Sequence, residues 1–144
     1  MGFESGKAVK MVGMAALLHD IGLYDLMPDI DNEDPNRLGP EERALWDKHP
    51  ARGEEILRAH GGFEETIYQA VAQHHKRKRG EMSRREANNI NTVSEIIGLA
   101  DEFHTQVLHG EFSGDNLRLF LRDTLPLFST KLTEGFAKLM KKPK

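Results

Sequence analysis

Apolar residues recur along this chain at helical spacing, and no stretch shows the strict alternation of a half-buried strand. A first helix is predicted over Lys7–Leu18, running into His19-Asp20-Ile21-Gly22, with Gly22 as its stop. Residues 27–39 (MPDIDNEDPNRLG) are acidic and contain proline, and they read as an ordered loop. Pro40-Glu41-Glu42 opens a short helix, because proline suits the first helical position and carboxylates favour the positive end of the helix dipole. His49-Pro50 ends that helix and starts the next, Ala51–His60, which Gly61-Gly62 closes. Glu64–Lys78 is predicted as a fourth helix, with Ile67, Ala70, Val71 and His74 along one buried stripe. The basic stretch KRKRGEMSRREANN separates it from Thr92–Leu108, where Val93, Ile96, Ile97 and Ala100 repeat the stripe. Two amphipathic pieces, Asn116–Phe128 and Lys131–Met140, complete an all-α pattern of about six to seven helices. No internal repeat or composition shift divides the chain, so residues 1–144 read as one domain.

The informative positions are polar residues placed on these apolar faces. His74 continues the stripe of the fourth helix, and His75 lies about 100° beside it. Asp101 follows the stripe of the fifth helix at the next inward position, and Ala15-Ala16-Leu17-Leu18 leads directly into His19-Asp20. A buried carboxylate without a partner costs several kcal/mol, roughly the stability of a whole domain, so it must meet a cation, a strong donor or a metal. Taken singly, each residue has a plainer explanation. His49-Pro50 reads as a helix boundary, His74-His75 as a half-exposed helix end, and Asp20 as a turn cap. Asp101 would be satisfied by an arginine such as Arg43 or Arg52. Together, three helices deliver imidazoles and carboxylates to one interior. Such ligands without thiolate suit iron, manganese or zinc.

Composition narrows the picture further. At 144 residues and 38% apolar content, the chain is long enough for a true core. It has no cysteine, which excludes disulfides, zinc–thiolate sites and cysteine nucleophiles. Twenty basic residues against 23 acidic ones leave a net charge of −3, too balanced for a broad electrostatic grip on nucleic acid. The run Lys76–Arg79 with Arg84-Arg85 carries no interleaved aromatics for base stacking, so it reads as a solvated loop. No signal-like or membrane-spanning stretch is visible, and a cytoplasmic location is expected.

The order His-Asp, His-Pro, His-His, Asp resembles the HD superfamily, specifically its HD-GYP branch. Residues 15–22 look like the family's AALLHDIG, and Leu38 to Glu42 (LGPEE) resembles its L-T-x-E-E segment. His49 to Leu57 (HPARGEEIL) matches HPxxGxxIL, Ile97 to Phe103 (IGLADEF) is similar to I-x-x-A-D-x-[FY], and Phe128–Leu139 resembles the last helix. The resemblance implies an HD-domain helical bundle with two or more divalent metal ions, iron, manganese or zinc, which hydrolyses phosphate esters. In the HD-GYP branch the substrate is a cyclic dinucleotide, usually cyclic di-GMP. By position, Asp20 would bridge the metals as the catalytic residue. His19 and Asp101 would bind one of them, and His49, His74 and His75 would complete the coordination. Two cations would then activate a hydroxide and stabilise phosphoryl charge.

The departures are specific. The family's first histidine lies on a helix upstream of HD, whereas no histidine precedes His19, so either the site lacks one ligand or the domain is truncated on its N-terminal side, the reading expected here, with further domains upstream. Leu23 replaces a lysine, Asp34 stands where lysine is common, and His104 replaces the second aspartate of A-D-x-x-D. Of HHExxDGxGYP only His74, His75 and Gly80 remain. With the phosphate-binding lysine gone, Arg77, Arg79 and Arg84 are the candidate substrate-binding residues.

Two functions follow. The first is an active metal-dependent phosphohydrolase or phosphodiesterase acting on a nucleotide or cyclic dinucleotide. The second is an inactive HD-type domain used for signalling, ligand binding or protein contacts. The expected partner is a phosphate-ester or cyclic-dinucleotide ligand, without membrane or nucleic acid, and a homo-oligomer is compatible with both.

Overall fold

A computed structural model describes residues 6–26, 28, 34–76, 90–109 and 112–141. Among them there is no strand, and every regular element is helical. In chain order these are α1 (Gly6–Leu18), α2 (Leu23–Leu26), α3 (Pro40–Trp46), α4 (His49–His60), α5 (Glu65–Gln73), α6 (Thr92–Phe103), α7 (Gly114–Leu119) and α8 (Thr130–Met140). Both α6 and α7 run on into π-helical turns, His104–Leu108 and Phe120–Thr124. The all-α bundle expected from periodicity is the fold observed.

Local chemistry explains most of the ends. Glu42 accepts from the backbone N–H of Gly39 at 2.9 Å, and Pro40 occupies the start of α3. After α4 the chain turns through Gly61 and Gly62 at φ 74° and 85°, a region that side chains resist. The Asn91 side-chain oxygen Oδ1 caps α6 by accepting from Ser94 N–H at 2.8 Å. Ser129, at the N-terminus of α8, donates its N–H and hydroxyl to the buried Glu95 carboxylate at 3.1 and 2.9 Å.

Two apolar cores lie on either side of α6. One joins Ala15 of α1, Leu57 of α4, Ile67, Tyr68, Ala70 and Val71 of α5, and Val93 and Ile97 of α6. The other joins Leu99 and Val107 to Phe120 and Phe128, with Phe103 and Phe136 packed against it. Burial of such side chains stabilises by roughly 1.5–3 kcal/mol each. Between the cores, α6 carries the polar residues of the site.

Several expectations need correction. The first helix ends at Leu18 as expected, but Gly22 is not its stop, since only Gly61 and Gly62 have positive φ among the described residues. Gly22 is instead a packing glycine, on which a Cβ would overlap the His49 carbonyl. In α1 only Ala15 is buried, and Leu17 is 83% exposed. The predicted stripe of the fifth helix is rotated: Ala100 is exposed, and the buried positions are Val93, Ser94, Glu95, Ile97, Gly98, Leu99 and Glu102. Consecutive small and branched residues let α6 bury more than one face, which a single-stripe reading misses. The expected helix over 116–128 is broken into α, π and 3-10 turns. The loop over 27–39 lies partly outside the described residues, and the part described includes a 3-10 turn at Pro35–Arg37.

Candidate metal centre

Four segments converge on one cluster. The turn after α1 supplies His19 and Asp20, α4 begins with His49, the end of α5 supplies His74 and His75, and α6 supplies Asp101. His49 and His74 have side chains 0% exposed, and His75, Asp101 and His19 keep 12%, 20% and 22%. All six residues singled out from sequence therefore lie together. The arginine partners imagined for Asp101 are engaged elsewhere: Arg43 donates to the Pro35 carbonyl, and Arg52 pairs with Asp25 and Glu55.

Three of the histidines are held in the same way. The Nδ1 atoms of His19, His49 and His74 lie 2.7, 2.6 and 2.7 Å from the carbonyl oxygens of Ala16, Trp46 and Val71, each three residues earlier. A carbonyl only accepts, so each Nδ1 carries the proton, and in the neutral ring each Nε2 is a bare lone pair. Two of those lone pairs meet, and the third, on His19, lies beside Asp20 and Asp101. His49 Nε2 and His74 Nε2 are 3.1 Å apart. Two neutral acceptors at that distance gain nothing from each other, whereas two ligands about 2.1 Å from one cation at right angles lie about 3 Å apart.

The carboxylates complete the arrangement. Asp20 Oδ2 lies 3.1 Å from His19 Nε2, and Oδ1 lies 3.2 and 3.7 Å from the Nε2 atoms of His49 and His74. Despite these contacts Asp20 Oδ1 is buried and accepts no hydrogen bond. Asp101 Oδ1 is 3.9 Å from His19 Nε2, and its Oδ2 is 3.7 Å from His75 Nδ1. His75 Nε2 is likewise buried without a hydrogen-bond partner. Buried acceptors left bare in this way fit a cation, and the nitrogen and oxygen donors fit a divalent ion.

Electrostatics agree with that use. Burial lowers His74 to about 4, against the pull of Asp20, so its ring stays neutral and ready to ligate. Burial would raise Asp20, but contacts with His19, His49 and His74 outweigh it and hold the carboxyl well below the usual range. Burial would lower His19, yet the Asp20 hydrogen bond and charge raise it, so a proton on Nε2 competes with a metal there. Burial raises Asp101, beside the other carboxylates of the cluster.

Sequence reasoning missed Glu102. It is 1% exposed, and its Oε1 lies 3.7 Å from His75 Nδ1. Asp101 and Glu102 together with His75 form a third group able to hold an ion, beside His49-His74-His75 and His19-Asp20-Asp101. The available signal was the adjacent carboxylate pair Asp101-Glu102, but Glu102 fell on the unspecified position of the motif. Arg77, Arg79 and Arg84 lie outside the described residues, and of the basic run only Lys76 is described, exposed. No helix among the described residues is long and apolar enough to cross a membrane.

A family model described as an HD domain matches residues 5–119. No curated protein and no solved structure matches the chain.

Proposed function

The chain belongs to the HD domain family, and from that premise we propose that it is a metal-dependent phosphodiesterase of the HD-GYP-like branch. Family membership itself points to the metal-dependent phosphohydrolases and to a phosphate-ester substrate. The finer reading is a nucleotide or cyclic dinucleotide of the cyclic di-GMP kind. One observation carries the metal-dependent reading: the bare Nε2 atoms of His49 and His74, 3.1 Å apart, beside an Asp20 oxygen without a hydrogen bond.

In this reading His19, His49, His74 and His75 with Asp20 and Asp101 hold two or more divalent ions, of iron, manganese or zinc. When bound, such ions supply a nucleophile at neutral pH and neutralise charge on phosphoryl oxygens. The chain's own contribution is placement. Backbone carbonyls fix three imidazoles in one tautomer, and Asp20, 3.2 and 3.7 Å from the Nε2 atoms of His49 and His74, would be the carboxylate shared by the ions. Arg77, Arg79 and Arg84, close in sequence after His75, are proposed to hold the phosphate in place of the lysine that Leu23 replaces.

The test is elemental analysis of protein purified without chelator, paired with manganese- or iron-supported hydrolysis of cyclic di-GMP and of a generic phosphodiester. Near one or more ions per chain are expected, with most of that content lost in Asp20→Ala. Full metal retention in Asp20→Ala removes the bridging assignment. A filled site without turnover on either substrate favours the inactive, ligand-binding HD domain instead.

A further inference from the structure

The four histidines of the cluster do not share one anchor. His19, His49 and His74 donate Nδ1–H to the carbonyl three residues earlier. His75 differs, because its Nδ1 faces two carboxylate oxygens, Asp101 Oδ2 and Glu102 Oε1, each 3.7 Å away. That separation exceeds a hydrogen bond, so the carboxylates act on the ring through their field. The field favours the proton on the near nitrogen and leaves Nε2, buried and without a hydrogen-bond partner, as the lone pair.

Glu102 is itself held from behind. Gln106 Nε2 donates to Glu102 Oε2 at 2.6 Å, and Thr124 Oγ1 donates to Gln106 Oε1 at 2.8 Å. The carboxylate selects the amide orientation, since an ionised carboxylate only accepts: the Gln106 NH2 must face Glu102, and its oxygen then accepts from the Thr124 hydroxyl. Gln106 and Thr124 each lie in one of the two π-helical turns, the kind of local widening that re-aims a side chain. All three relay residues escape full solvent exposure, with Glu102 at 1% and Thr124 at 7%.

We infer that Glu102 is a positioning residue for His75, aimed by Gln106 and Thr124, and that it sets the Nδ1–H tautomer that turns Nε2 toward the ions. This rests on the metal-centre reading above. Asp101 is assigned to the ions themselves, which leaves Glu102 as the carboxylate able to keep the His75 proton in place once they bind. Carboxylate partners of ligating histidines typically change metal affinity by about 10–100-fold when removed.

Long-range proton–nitrogen correlation spectra of the metal-free protein near pH ~8, where an ordinary imidazole is neutral, read the tautomer directly. His75 is expected as Nδ1–H in the wild type and shifted toward Nε2–H in Glu102→Gln. Zinc titration by calorimetry should show about tenfold weaker binding for Glu102→Gln and a smaller loss for Thr124→Val, which keeps the carboxylate but frees the amide. An Nε2–H tautomer in the wild type overturns the inference without any variant. So does unchanged tautomer and zinc affinity in Glu102→Gln or, if that variant does not fold, in Thr124→Val. Absence of zinc binding by the wild type defeats the metal-centre reading instead, while the tautomer still decides the role of Glu102.

Discussion

Gly98 of α6 packs directly against the carbonyl of His74, so closely that a Cβ at position 98 would overlap that oxygen. Gly22 stands in the same relation to the carbonyl of His49. Two candidate metal ligands are thus seated by backbone-to-glycine contact, which brings α6 and the His19-Asp20 turn within reach of the imidazoles.

Gly98→Ala should therefore destabilise the protein by about 1–3 kcal/mol or more, since backbone must move to admit the methyl group. Gly13→Ala on α1 meets open space and should instead stabilise by about 0.5–1 kcal/mol through helix propensity. Urea unfolding of both variants checks this. A neutral Gly98→Ala would mean that the α6–His74 approach is looser than described.

Metal binding should register as stability. An ion present at a hundred times its dissociation constant adds about 2.7 kcal/mol when it binds only the folded state. Zinc or manganese should raise the melting temperature of the wild type, chelator should reverse the rise, and His49→Ala should abolish it. His60→Ala, at the exposed far end of the same helix, should retain it. Equal metal-induced shifts in both variants would remove His49 from the site.

Acid should weaken the metal-free protein through His74. Its pKa falls from the ordinary 6.5 unfolded to about 4 folded, chiefly because burial disfavours the charged ring. As pH drops from about 6.5 toward 4, the unfolded chain takes a proton that the folded chain refuses, and up to about 3 kcal/mol of stability is lost. His19, raised by Asp20, works in the opposite sense, so the comparison must isolate His74. Urea midpoints at pH ~7 and ~4.5 should fall less for His74→Asn than for the wild type. Parallel losses would show that His74 does not carry the slope.

Substrate contact is expected to separate from metal content. Arg77→Ala, Arg79→Ala and Arg84→Ala should leave bound metal unchanged. At least one of them should lower hydrolysis about tenfold, a loss of ~1.4 kcal/mol of transition-state stabilisation. Unchanged turnover in all three would place phosphate recognition elsewhere.

Much of this was legible from residues alone. Helical periodicity reported the fold class, because a period near 3.6 only buries its apolar positions in helices. The stripe Ile67-Ala70-Val71-His74 is buried as read, and the histidines and aspartates of the motifs do meet. Those ligands were visible because short sequence patterns tie a side chain to its own helix turn. His74, for example, finds its carbonyl anchor three residues earlier, at Val71 of α5.

What the sequence could not supply was whatever depends on how one helix is rotated against another. Ala100, expected inside, is exposed and Glu102 is buried because α6 is wedged between two cores, and the core on its far side, with Phe120 and Phe128, draws Leu99 inward. The relay from Thr124 through Gln106 to Glu102 spans 22 positions and depends on two π-helical turns that no periodicity announces. Periodicity and motif spacing determined which residues bear the chemistry. Packing decided which face of α6 turns inward and how the Asp101 and Glu102 carboxylates meet His75, because those neighbours lie far apart in sequence.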